Sequence, residues 1–146
     1  MTITSALPAR ILASVFTAVF ATPLWAGDLS VNVASVRNDT GMILIALHDG
    51  AEGFPGTRKP IAVQSVPAKQ GGVRVVFSDL APGTYATTLF HDENGDGALD
   101  SNLVGMPTEG IAFSNDATGS FGPASFDDAA FVMPEGDLNI TTTVSY

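Results

Sequence analysis

Ten residues, HDENGDGALD from His91 to Asp100, hold four carboxylates, one carboxamide and two glycines. Asp92, Asn94 and Asp96 stand two apart, Gly97 follows, and Asp100 closes the run. Side-chain oxygens at alternate positions of a tightly curled chain converge on one point. Calcium asks for six to eight oxygen ligands at about 2.3–2.6 Å, and a glycine at the sixth loop position gives the sharp turn. Counted from Asp92, the pattern puts Asp92, Asn94 and Asp96 first, third and fifth. Gly97 is sixth, the Ala98 carbonyl seventh and Asp100 ninth. Leu99, at the eighth, is expected to anchor the loop on apolar packing. The twelfth position is Leu103, where a helix–loop–helix calcium site has its bidentate glutamate. A strand, not a helix, leads into the loop. The spacing therefore predicts a Ca2+ loop on a β scaffold with one ligand missing, for which Glu109, Asp127 and Asp128 are the candidates. The expected affinity is modest, about 10⁻⁴–10⁻³ M. The bland alternative is a solvated turn, because Asp, Asn and Gly are what tight turns use.

The charge distribution favours an ion. Between Val75 and Tyr146 there are 11 acids and no lysine or arginine, so these carboxylates cannot all find partners within their own half. No base lies near the acid cluster in sequence. Such a surface is a poor partner for nucleic acid or anionic lipid.

Other chemistries are less well supported. His48-Asp49 and His91-Asp92 both end strands, and paired histidines can bind zinc. Here carboxylates would have to complete the set, and nothing fixes their spacing. Glu93, Asp96, Glu109 and Asp127 could supply a general acid and base, as in carbohydrate hydrolysis. That gives the competing reading, a hydrolase acting on envelope carbohydrate. No Gly-x-Ser-x-Gly element and no phosphate-binding loop is present. Without cysteine there is neither a thiol nucleophile nor a disulfide framework. Phe113, Phe121, Phe126 and Phe131 could line a ligand groove, or pin a loop to the core.

The elements that must position the acid loop read as strands. Leu29 to Val33 alternates apolar and polar with the period of a half-buried strand. Met42 to Leu47 is a continuous apolar run, expected to be covered on both faces. The turn residues Asn38 to Gly41 join these two as an apparent hairpin. Ile61 to Val66, Val73 to Phe77, Tyr85 to Phe90, Ala130 to Met133 and Leu138 to Tyr146 complete seven. The fold expected is all-β, a seven-stranded antiparallel Ig-like or transthyretin-like β-sandwich with one long ordered loop. No strand is expected from Asp92 to Asp128. A loop of that length in a compact domain is usually functional. Its phenylalanines and prolines predict that it folds back on itself.

Residues 1–26 read as a signal peptide: one charge, Arg10, then the uncharged run ILASVFTAVFATPLW, then Ala26. The run is short for a membrane span. Removing Arg10 with this leader takes the formal charge from −9 to −10. The remaining residues, 27–146, make a single domain, expected to be periplasmic or secreted, with no membrane span after cleavage.

The long segment SDLAPGTYATTLFHDENGDGALDSNLVGMPTEGIAFSNDATGSFGPASFDDAAF, Ser78 to Phe131, resembles the signature of a bacterial exported family, domain of unknown function 2141. This chain differs from that signature in Met106, where the family tends to Ile, and in Ala124, where it tends to Pro. The element Leu80-Ala81-Pro82-Gly83-Thr84-Tyr85 is similar to one in transthyretin-like and carboxypeptidase-regulatory-like domains. The resemblance implies an exported β-sandwich and no assigned activity, and a sandwich fold hosts many functions. The expectation is a non-enzymatic binding or structural module at the cell envelope, with an envelope protein or glycan as the possible partner. Its metal residues would be Asp92, Asn94, Asp96, Ala98, Asp100 and Glu109.

Overall fold

A computed structural model describes residues 25–146. The expected leader falls almost wholly outside them. Among the described residues, no helix is long and apolar enough to cross a membrane.

Strand β1 (Gly27–Ala34) shows how the sequence is used. Leu29, Val31 and Val33 are buried on one face. β1 lies at the centre of a three-stranded sheet, antiparallel to β4 (Gly72–Leu80) and parallel to β8 (Leu138–Thr143). The second sheet has five strands. β3 (Ala62–Pro67), β2 (Met42–His48), β5 (Gly83–Asp92) and β6 (Gly110–Phe113) lie in that order, and β7 (Phe131–Met133) pairs with the start of β5. Ten residues long, β5 serves two partners on one edge: Gly83–Tyr85 meets β7, and Thr88–His91 meets β6. The sheets enclose a core that includes Leu29, Val31, Ile43, Ile45, Leu47, Phe77, Leu89 and Met133.

Four expectations change. There are eight strands, because Gly110–Phe113 forms a strand inside the segment expected to have none. Four residues are too few to show a period, and this strand exists because the end of β5 offers it a ladder. The fold is not purely antiparallel, because β8 runs parallel to β1. The turn Pro134 to Asp137 carries the chain from one sheet to the other, where Asp137 Oδ1 accepts the Asp28 N–H at 2.9 Å. β1 and β2 are likewise not a hairpin, since the turn at Asn38 to Gly41 also crosses between sheets.

β2 is not covered on both faces. Ile43, Ile45 and Leu47 are buried, while Met42, Leu44 and Ala46 stay partly open. Cover exists at one end only, where Phe54, Phe113 and Phe126 pack with Ala86 and Ala129 in a second apolar cluster. Phe126 begins a one-turn helix, α1 (Phe126–Ala129), capped by the Ser125 hydroxyl accepting from Asp128 N–H. The long segment thus folds back as expected, through Phe113 and Phe126 but not Phe121, which is fully exposed at 108%.

Candidate functional site

β5 delivers His91 to the core and Asp92 to the sheet end, and the acid loop begins there. Asp92 is 2% exposed. Its Oδ1 accepts the Gly95 N–H at 2.8 Å and its Oδ2 the Gly97 N–H at 2.9 Å. One buried carboxylate thereby curls the next five residues. Gly97 has φ +79°, a conformation that side chains disfavour. The next turns are local in the way Asx residues allow. Asn94 Oδ1 accepts from Asp96 N–H at 3.0 Å, and Asp96 Oδ1 from Ala98 N–H at 2.9 Å. Asn94 Nδ2 donates to Asp96 Oδ2 at 3.1 Å and to Asp100 Oδ2 at 2.9 Å. Two acidic oxygens therefore converge on one point, held by an amide N–H pair.

Glu109, 6% exposed, closes the loop. It accepts the Glu93 N–H at 2.8 Å with Oε1 and the Asp100 N–H at 3.1 Å with Oε2. Of the three residues considered for the missing ligand, Glu109 is the one whose carboxylate reaches this loop's backbone. Asp127 and Asp128 sit in α1, with Asp128 Oδ2 accepting the Ser125 hydroxyl. Leu103 projects into solvent, and Leu99 is 41% exposed, so Leu99 does not anchor the loop. The Asp100 carboxyl is pushed above its ordinary value, first by desolvation and then by Asp96, Glu109 and Asp92 nearby. Among the described residues, no three His, Cys, Asp or Glu side chains are grouped so as to hold a metal ion.

A second network lies beside the loop, and the sequence did not announce it. Arg37, from the turn between β1 and β2, forks onto Glu93, with Nε to Oε1 at 2.8 Å and Nη2 to Oε2. Asn38 Nδ2 also donates to Glu93 Oε1, at 2.6 Å. The Arg37 guanidinium, then Asn38, lower the Glu93 carboxyl to about 2. The cluster thus does have a neutralising base, brought to it from far along the chain. Arg37 also lies over the Tyr146 ring, 4.4 Å from its centroid, an attractive cation–π arrangement. The Tyr146 hydroxyl joins His91 Nδ1 at 2.7 Å, and His91 Nε2 joins the Thr40 carbonyl at 2.7 Å. A carbonyl only accepts, so Nε2 carries the proton, and in the neutral ring Nδ1 accepts from the tyrosine.

The two histidines do not meet. In the antiparallel register His48 pairs with Ala86 and His91 with Ile43, at opposite ends of the sheet. His48 lies edge-on to Phe54 at 5.0 Å, and burial lowers its pKa.

The fold and loop together define a two-sheet β-sandwich carrying an Asx-rich acidic loop at one sheet end. The chain belongs to the DUF2141 family, described as uncharacterized proteins conserved in bacteria, whose model matches residues 31–141. No curated protein and no solved structure matches it.

Proposed function

We propose that this is an exported, non-enzymatic binding or structural module of the bacterial envelope whose acid loop takes up Ca2+. The observation that carries the reading is the convergence of Asp96 Oδ2 and Asp100 Oδ2 on one amide, in a loop whose backbone the Asp92 and Glu109 carboxylates anchor. The donor set suits a hard cation, since all its candidate ligands are oxygens. Asn94 Oδ1 accepts the Asp96 N–H and has a second lone pair to offer. Asp92 and Glu109 already accept N–H groups, yet an ionised carboxylate has about four acceptor sites and can hold a cation as well. Asp92, Asn94, Asp96, Asp100, the Ala98 carbonyl and Glu109 would hold the ion, which would relieve the repulsion from Asp96, Glu109 and Asp92 that, after desolvation, raises Asp100.

Within the Leu80 to Tyr85 element, the Tyr85 hydroxyl donates back to the Ala81 carbonyl at 3.0 Å and ties the turn to the strand that follows it. The hydrolase reading needs a carboxyl that keeps a proton near neutrality. Glu93 is held in the opposite sense, and Glu109 accepts on both oxygens.

Thermal unfolding in chelator, then with calcium, magnesium or zinc, tests the proposal. An ion that binds the folded state adds RT ln(1 + [L]/Kd), about 2.7 kcal/mol at a hundredfold excess over Kd. Calcium is expected to raise the midpoint by several degrees, and Asp96→Ala to abolish the rise. No shift with calcium at about 10 mM, well above the expected Kd range, would sink it.

A further inference from the structure

Asn94-Gly95-Asp96-Gly97 sets two chemically labile pairs in a row. The backbone nitrogen that follows an asparagine or aspartate can attack the side chain before it, and glycine, without a Cβ, leaves that attack unhindered. Asn94 is the one asparagine of the chain followed by glycine. There the Gly95 nitrogen would bond to Cγ, lose its proton to solvent and expel the side-chain amide as ammonia. Water then opens the cyclic imide at either carbonyl, leaving aspartate or its backbone-rearranged isomer, isoaspartate. At Asp96 the Gly97 nitrogen would do the same with loss of water. The return of water gives aspartate or isoaspartate with no change in mass.

Both pairs are exposed, and nothing crowds either glycine. On composition alone this loop should age quickly. Its geometry opposes that. The two attacking nitrogens would be those of Gly95 and Gly97, and both N–H groups point at one buried carboxylate. Asp92 accepts from Gly95 with Oδ1 at 2.8 Å and from Gly97 with Oδ2 at 2.9 Å. The groups to be attacked are held as well. Asn94 Oδ1 accepts the Asp96 N–H, one residue beyond the nitrogen that would attack it, while Nδ2 donates to Asp96 Oδ2 and Asp100 Oδ2. Asp96 Oδ1 accepts the Ala98 N–H in the same manner.

We propose that Asn94 and Asp96 are sites of spontaneous deamidation and isomerisation, and that Asp92 holds both reactions back by engaging the two attacking N–H groups. Reaction then requires the loop to open first. The rate in the folded chain is the rate in the unfolded chain multiplied by the fraction of time the loop is open. Conversion has a structural consequence. Deamidated Asn94 has no N–H to place between Asp96 Oδ2 and Asp100 Oδ2, and it sets a further carboxylate beside them. The altered loop therefore closes less well. The residue that curls the loop is also the one that preserves it, and no bound ion is needed for either.

Ageing in chelator and mildly alkaline buffer tests the proposal, with the protein as recovered from expressing cells kept folded or unfolded in urea. Peptide masses report deamidation at Asn94, and chromatography of the same peptides separates isoaspartate at Asp96. The folded chain is expected to convert at both sites about tenfold or more slowly than the unfolded chain. Hydrogen exchange at the Gly95 and Gly97 amides should be slowed by the same factor, because the same opening releases them. Asp92→Ala should speed both reactions. Asp92→Asn keeps one acceptor oxygen, so it should speed one reaction and leave the other slow, a split that a general loss of stability would not give. A folded wild type that converts as fast as the unfolded chain overturns the proposal, and so does free exchange at either glycine. Those two readings decide it even where Asp92→Ala does not fold. A folded Asp92→Ala that converts no faster than wild type, or an Asp92→Asn in which both sites speed alike, overturns it as well.

Discussion

Glu109 holds Glu93 by its backbone: Oε1 accepts the Glu93 N–H at 2.8 Å, across sixteen residues of chain. The other oxygen does the same for Asp100, so one buried side chain fixes both ends of the acid loop. The loop has shape before any ion reaches it.

Replacing that carboxylate should therefore cost more than a surface acid would. Glu109→Ala leaves two backbone donors without their acceptor and is expected to lose roughly 2–3 kcal/mol. Glu109→Gln keeps one acceptor oxygen and should lose about half as much. Urea unfolding measures both. Limited proteolysis should show earlier cutting between Asp92 and Glu109 in the alanine variant.

Acid should weaken the fold through Glu93. Its carboxyl lies at about 2 in the folded chain against 4.5 ordinarily, chiefly because of Arg37. The unfolded chain therefore binds the proton more readily. This contribution is complete above pH 4.5 and is lost as pH falls from there towards about 2. Urea midpoints across that window should decline, and Glu93→Gln should flatten part of the decline. An unchanged slope in Glu93→Gln would remove this pair as a source of acid sensitivity.

Tyr146→Phe removes one hydroxyl and two hydrogen bonds, those to His91 Nδ1 and from Arg37 N–H. His91 is wholly buried, so its bare nitrogen loses its only donor there. The expected loss is about 1–3 kcal/mol. The ring and its contact with Arg37 remain, so Tyr146→Ala should cost more.

Thr87→Val should do the opposite. Thr87 is fully buried, and its Oγ1 has no hydrogen-bond partner among the described residues. An unpaired buried hydroxyl carries a desolvation penalty that a methyl group of similar shape does not. The substitution is expected to be neutral or to stabilise by about 1 kcal/mol. Its backbone N–H bond to Ser114 Oγ is unaffected. A loss of stability would mean that this hydroxyl does have a partner.

The sequence carried what is local. Asp92, Asn94, Asp96 and Gly97 could be read as a curled loop because their bonds span two to five residues. The alternation in β8 likewise matches its burial, and that in β1 does so except at Ser30, which is buried as well. What could not be read is what the fold brings together. Arg37 reaches Glu93 across 56 residues and Tyr146 reaches His91 across 55, and no pattern near either announces the meeting. The pairing of β1 and β2 as a hairpin failed for the same reason. A turn signal between two strands tells that the chain reverses, not whether it pairs or crosses.

The last residues make a crossing of their own. β8 lies beside β1, Thr142 Oγ1 then donates to the Phe113 carbonyl in the other sheet, and Ser145 pairs with Ile111 there. The space beside Gly110 is filled by Val144 and Tyr146, so tightly that a methyl group would collide with both. Start and finish of the domain are thus neighbours, joined at Asp28 and Asp137 across 109 residues. Contacts at such separations make folding slow, because the long loop must close before they are rewarded. On a ribosome β1 can pair with β4 early but must wait for β8, and without Thr142 and Ser145 the seam between the sheets stays unsewn.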